Sequence, residues 1–389
     1  MRDAVIVEAV RTPIGKGKTT GGLASVHPVD LFAHSLREIV SRTGIDPALI
    51  DDVIGGVVTQ IGEQSANPTR RALLAAGYPD SVPATTIDRQ CGSSQQAIAF
   101  AAQGVIAGAY DIVVAGGVES MSRVPMGAAM ANTADVDGEG YRLRYPEGLV
   151  NQGVSAELVA AKWGLSRTQL DEFALASHAK AADATKNGLF DSEIVPLAGL
   201  THDEGIRIGG DIVSLGGLRA AFRDDSLSER FPQIGWNVTA ANSSQISDGS
   251  SAVLIMTSER ARELGLKPLA RLHSFSVVGD DPLLMLTAVI PATRKVLERA
   301  GLTIDDIDLF EVNEAFASVV LAWAAETGAD LDKVNVHGGA IALGHPLGAS
   351  GARIMTTMVH ALQQTGGRYA LQTMCEGGGL SNATIIERL

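Results

Sequence analysis

Near the start of the chain the apolar positions change period in a definite order. Helical spacing from Val29-Asp30-Leu31-Phe32 to Leu36-Arg37-Glu38-Ile39-Val40 stops at Gly44-Ile45-Asp46-Pro47. The next run, Ile50-Asp51-Asp52-Val53-Ile54-Gly55-Gly56-Val57-Val58, has the pattern of a strand. The order returns late in the chain. Thr293 to Ala300 is helical, Gly301-Leu302-Thr303 stops it, and Ile304-Asp305-Asp306-Ile307 leads into a strand ending at Val312. Each unit continues alike. Cys91-Gly92-Ser93-Ser94 opens a helical run and then a strand, Ile112 to Gly117; His345-Pro346-Leu347-Gly348 opens a helical run through His360 and then a strand, Tyr369 to Met374. Gly44 to Cys91 is 47 positions and Gly301 to His345 is 44, so the two units keep register over a long span. The pattern predicts a duplicated α/β unit, with Cys91 and His345 at equivalent strand-to-helix ends.

Between the units, from about Glu119 to Ser244, the chain becomes more helical, charged and rich in turns, as expected of an insertion. Within it, Ser166-Arg167-Thr168-Gln169 predicts the N-cap of an amphipathic helix. The resulting division is 1–118 with 245–268, an insertion over 119–244, and 269–389.

At 389 residues the chain has room for two or three cores, and 43 glycines with only 4% aromatics suit close-packed α/β layers joined by tight turns. A net charge of −13 argues against nonspecific attraction to nucleic acid or to an anionic membrane. The acidic, short apolar N-terminal run does not resemble a signal peptide, and no apolar stretch is long enough to span a bilayer. These features lead to the expectation of a cytoplasmic protein without nucleic-acid or membrane partners. The two cysteines, Cys91 and Cys375, fit no metal spacing, and no metal site is expected.

Cys91 is open to two readings: an inert buried thiol, or a nucleophile whose thiolate is favoured by a helix N-terminus. His345 lies in a stretch with five glycines, Gly338 to Gly351, and a histidine serving a cysteine is a common means of activating it. Cys375-Glu376-Gly377-Gly378-Gly379 closes a strand; it is either a simple glycine turn or a second thiol able to move a proton, with the Gly377 N–H joining that of Cys91 in an oxyanion hole. Asn313-Glu314-Ala315-Phe316 follows a strand, where Asn313 either caps a helix from Ala315 to Ala325 or takes part in chemistry.

These four motifs, in this order, resemble the active-site motifs of the thiolase family. Arg11-Thr12-Pro13-Ile14-Gly15 and Asn242-Ser243-Ser244-Gln245-Ile246-Ser247-Asp248-Gly249 extend the resemblance over essentially the whole chain. It implies a five-layered αβαβα fold of two similar halves with the insertion as a loop domain over coenzyme A, and a homodimer or homotetramer. It also implies reversible cleavage of 3-ketoacyl-CoA by CoA through an acyl-Cys91 intermediate, with CoA as co-substrate and no permanently bound cofactor. In that scheme His345 activates Cys91, Cys375 moves the proton of the acetyl methyl group, and Asn313, through a water, joins His345 in holding the thioester oxygen. Ser244, Phe222, Phe316 and Arg219 would contact the substrate.

Three departures from the family pattern, Asn151-Gln152 before Gly153, His337, and Glu376, lean toward a degradative member taking bulky or branched acyl chains. The alternatives are a biosynthetic acetoacetyl-CoA thiolase, a condensing enzyme of the ketoacyl-synthase kind, and a silent acyl-CoA-binding protein.

Overall fold

The computed structural model describes residues 2–131 and 133–389. Its strands are β1 (Val5–Arg11), β2 (Gly15–Lys16), β3 (Asp52–Gly56), β4 (Ala84–Ile87), β5 (Ile112–Ser120), β6 (Ser247–Met256), β7 (Ala270–Gly279), β8 (Leu309–Val312), β9 (Tyr369–Glu376) and β10 (Leu380–Arg388). They form the order β4-β3-β5-β6-β1-β7-β10-β9-β8, with β2 paired to β6. The order is a mirror repeat. In one half β3 runs parallel to β5, which is antiparallel to β6, which is antiparallel to β1. In the other, β8, β9, β10 and β7 have the same relations. The halves join through a two-residue ladder, Val5 with Arg271 and Ile6 with Ala270.

The apolar faces explain the layers. One core packs helix Pro28–Thr43 on the outer face of the first half through Leu31, Phe32, Leu36 and Ile39. Another packs helices Val289–Ala300 and Ala317–Thr327 on the outer face of the second, through Val296, Val320 and Trp323. A third lies between the half-sheets, where Ile98 and Val105 of helix Ser93–Ala107 and Met355 and Met358 of helix Leu347–Thr365 meet Val113, Leu309 and Ile386. Helix, sheet, paired helices, sheet, helix make the five layers. Both central helices are buried along most of their length, polar side chains included: Ser94, Gln95 and Gln96 of the first and Ser350, Arg353, Thr356 and Thr357 of the second.

The strand pattern overran in places. The strand expected over Ile50–Val58 spans Asp52–Gly56 and is preceded by a 3₁₀ turn, Pro47–Leu49. In the second unit Ile304–Asp306 is likewise a 3₁₀ turn, because the Asp306 carboxylate accepts from the Thr303 N–H at 2.7 Å and holds the chain in a cap. Ser166 caps helix Arg167–Lys186, reciprocally with Gln169. The described residues between Met121 and Ile246 add no strand to the sheet. Their helices Gln152–Lys162 and Arg167–Lys186 pack through Ala156, Val159, Leu170 and Ala174 into the core of the second half.

Candidate active site

The two central helices begin close together. Gly348, in the first turn of Leu347–Thr365, lies so close to the Gly56 and Val118 carbonyls that a Cβ there would stand 2.6 Å from each. The Ala352 N–H donates to Ser94 Oγ at 2.9 Å, tying this helix to Ser93–Ala107. Buried Glu119, at the end of β5, accepts from the N–H groups of Val58, Thr59 and Gly348 and from Gln64 Nε2. One carboxylate thus anchors the helix that follows His345 to the first half.

His345 stands two residues before its helix, as Cys91 does before the other. Its backbone N–H donates to Gln245 O at 3.1 Å and Ser247 Oγ at 3.0 Å. The ring is buried, and Nδ1 lies 2.6 Å from Ser350 Oγ, while the Ser350 hydroxyl donates to Pro346 O at 2.8 Å. A hydroxyl has one proton, so Nδ1 is the donor in the first contact and Nε2 carries the bare lone pair. Burial, reinforced by the Arg353 charge, holds the imidazole down to about 3, so the ring is neutral.

Asn313 Nδ2 lies 3.5 Å from His345 Nε2, and the same side chain stands beside the Cys375 thiol, where it favours the thiolate. Asn313 does not cap the following helix, which starts at Ala317 with Phe316 as its N-cap residue; the Asn313 Oδ1 is buried with no partner among the described residues. Cys375, at the end of β9, is buried on the side of Ala315 and Phe316. Cys91 packs in an adjoining cluster with Met121, Leu347, Ile354 and Met374. The two thiols are near enough for the charge of one to oppose that of the other.

The structure departs from the expected thiolate at Cys91. Burial pushes this thiol up, and Cys375 and Glu376 push it further. The reason is local. Helical geometry starts at Ser93, and the N–H groups of Gly92 and Ser93 are already used by the carbonyls of Arg89 and Gln90, both at 3.0 Å. They cannot stabilise the sulfur. Burial also pushes the Cys375 thiol up, to about 12. The resting arrangement is two neutral thiols beside a neutral base, so Cys91 becomes nucleophilic by giving its proton to an acceptor. The N–H groups of Cys91 and Gly377 are taken up by no backbone carbonyl among the described residues.

Phe222 lies on Gly153 and meets Phe316 edge to face, with centroids 5.8 Å apart. Ser244 is half-buried and donates its N–H to Ala315 O at 2.9 Å, on the same edge. Arg219 is exposed and forms no salt bridge among the described residues. Of the three departures, His337 belongs to a different place: its ring stacks edge to face on Phe190, centroids 5.8 Å apart, over which Arg11 also lies. Asn151 caps helix Gln152–Lys162, while Gln152 reaches Gly377.

Sequence reasoning missed Ser350 and Glu119, which orient the site without any motif of their own. Ser350 could have been found by asking which side chain one helical turn into Leu347–Thr365 faces back to His345. Arg11 was matched only as part of a motif. It is fully buried and paired with Glu193 at 2.6 Å and Asp203 at 2.7 Å, fastening the segment that carries these two carboxylates to β1.

Comparisons with known proteins identify the family. The family described as "Thiolase, N-terminal domain" matches residues 4–259, and "Thiolase, C-terminal domain" matches residues 266–388. The chain belongs to the thiolase family. It is 47% identical to the steroid 3-ketoacyl-CoA thiolase of Mycobacterium tuberculosis, over 100% of this chain and 95% of that protein. It is 42% identical to an acetyl-CoA acetyltransferase of Chromobacterium violaceum, over 99% of this chain and 100% of that one. The crystal structure of the Bacillus anthracis acetyl-CoA acetyltransferase superposes with a TM-score of 0.89 at 39% identity, covering 100% of this chain and 99% of that chain. The thiolase fold is therefore common to both.

Proposed function

We propose that this thiolase cleaves 3-ketoacyl-CoA with CoA, releasing acetyl-CoA and a shortened acyl-CoA, through an acyl group carried on Cys91. The observation that carries this reading is the Asn313 amide, which lies 3.5 Å from His345 Nε2 and beside the Cys375 thiol, so that three separate sequence motifs meet in one buried place.

Cys91 passes its proton to His345 Nε2 and attacks the 3-keto carbon, whose oxyanion meets the Cys91 and Gly377 N–H groups. The C2–C3 bond breaks. The electron pair left on C2 takes a proton from Cys375, and acetyl-CoA leaves. His345, now protonated, donates to the thioester oxygen as charge gathers there, with Asn313 assisting through a water. CoA then gives its thiol proton to Cys375, attacks the acyl group, and releases Cys91, which recovers its proton from His345. Every proton returns to its starting group, and the reverse sequence is a Claisen condensation. CoA enters as co-substrate; the scheme uses no permanently bound cofactor.

The Phe222–Phe316 pair, Ser244 and Arg219 are the proposed contacts for the acyl chain and the coenzyme. The proposed division is 1–118 with 245–268, 119–244 as the cover over coenzyme A, and 269–389. A homodimer or homotetramer suits two surfaces: the outer strand β4, partly exposed, and Met126, Met130, Val136 and Leu143, which stand 57% to 74% exposed within one segment.

The substrate is proposed to be a degradative 3-ketoacyl-CoA larger than acetoacetyl-CoA, because Gln152 stands at Gly377 and a relative identical at 47% of positions is named for steroid substrates. A cleavage panel of straight, branched and ring-bearing 3-ketoacyl-CoAs, with and without free CoA, tests this. Multiple turnovers confined to reactions containing CoA, and faster with the larger chains, support it. Preference for acetoacetyl-CoA points to the biosynthetic alternative, and no cleavage of any member points to a silent binding protein.

A further inference from the structure

Glu376 is placed where a carboxyl is costly. Its side chain is fully buried, Oε1 accepts the Asn382 N–H at 3.1 Å, and Oε2 has no protein partner among the described residues. Such a group persists in a fold only where something offsets its burial. A Cβ on Gly92 would lie 1.8 Å from Oε1, so the carboxyl rests directly on the backbone beside Cys91. The turn it supports is unusual: Gln90, immediately before Cys91, has φ +49, in the left-handed region that non-glycine residues seldom occupy. Glu376 also follows Cys375 on β9, so it adjoins both thiols.

We propose that Glu376 is a positioning residue for the thiol pair: its carboxyl braces the turn that presents Cys91 and, once ionised, opposes formation of either thiolate. The proposal rests on the thiolase reading for its consequence in turnover.

The groups facing this carboxyl are few. Arg89 approaches from the start of the Cys91 turn and favours the charged form, Cys91 lies on that turn, Cys375 lies on the carboxyl's own strand, and β10 contributes only the uncharged Asn382. Glu119, from the end of β5, acts on Cys91 as a second negative neighbour. Burial outweighs Arg89 and pushes the Glu376 carboxyl up to about 8. At neutral pH it is therefore an uncharged wedge. Above that range it becomes an anion beside two sulfurs that must each pass through a charged state.

The test is the rate of Cys91 alkylation by iodoacetamide against pH, read by peptide mass spectrometry in the wild-type chain and in Glu376→Gln. Glutamine keeps the shape and the oxygen that accepts from Asn382 but cannot ionise. In the wild type the rate should climb less steeply above about pH 8 than a single titration allows. In Glu376→Gln it should follow a single titration and exceed the wild type by about tenfold at pH 9.5, the effect of about one unit in the thiol. Superimposable profiles would overturn the proposal. If Glu376→Gln does not fold, the wild-type profile decides alone: a single one-proton curve overturns it, and a curve flattened near pH 8 supports it. Alkylation needs no acyl-CoA, so a chain that never forms acyl-Cys91 would remove the thiolase reading while leaving this result readable.

Discussion

The His345 imidazole and the Ser350 hydroxyl form a 2.6 Å hydrogen bond whose direction is set by a third atom, because the serine proton is already given to Pro346 O. That arrangement leaves Nε2 as the proton acceptor beside Asn313. Ser350→Ala removes the group that fixes this tautomer. The acylation rate of Cys91 should fall about tenfold or more, with a stability loss of about 1–3 kcal/mol, since the hydroxyl takes part in two hydrogen bonds and its removal leaves the buried Nδ1–H without an acceptor. Rapid-quench acylation and chemical denaturation measure the two quantities separately. An unchanged rate would mean that the ring is oriented by packing alone.

Cys375 is assigned to moving the proton on C2, not to carrying the acyl group. Cys375→Ala should therefore still accept a labelled acetyl group from acetyl-CoA onto Cys91, more slowly because CoA must leave as a thiolate without the Cys375 proton, while condensation to acetoacetyl-CoA falls below detection. Loss of both steps together would show that Cys375 is needed to build the Cys91 site.

The neutral state of His345 has a consequence in acid. Its ordinary value is 6.5 and the folded value is about 3, set first by burial and then by Arg353. The folded protein thus binds fewer protons than the unfolded chain between those values. Stability from this group is fully present above pH 6.5 and is lost as pH falls toward 3. Since the base remains unprotonated, single-turnover acylation at pH 5.5 should stay within about twofold of its pH 7 rate. A limb centred near pH 6.5 would contradict the buried, neutral imidazole.

Arg11 tests the frame rather than the chemistry. With the guanidinium removed in Arg11→Met, Glu193 and Asp203 lose the buried cation that compensates them. The expected loss is about 3–5 kcal/mol in denaturant unfolding, since a buried charge left alone costs far more than the pair contributes. A loss under about 1 kcal/mol would show that water reaches the cluster.

Much of this was legible in the residues. The helix, glycine stop and strand around Gly44 and Gly301 recur because both halves solve the same packing problem, and Cys91 and His345 occupy equivalent ends for that reason. The motif around Asn313 led to the site, although the competing cap role could be dismissed only once Phe316 was seen to occupy the cap. The charge state of Cys91 was not legible. A helix N-terminus suggests a thiolate, but the N–H groups that would stabilise it are spent on Arg89 and Gln90, and burial decides the balance. Nor could spacing reveal that His337 stacks on Phe190 away from the reacting groups, whereas Glu376 rests on Gly92 beside them. Those facts depend on which face of a strand or turn a side chain takes, and period alone does not give it.

The central claim is that Cys91 carries the acyl group. Intact-protein and peptide mass spectrometry after brief exposure to a 3-ketoacyl-CoA, without free CoA, measures it directly. The account predicts a mass gain equal to the shortened acyl group, located on Cys91, discharged when CoA is added and absent in Cys91→Ala. No adduct on Cys91 with any 3-ketoacyl-CoA, or an adduct that persists in Cys91→Ala, would contradict it.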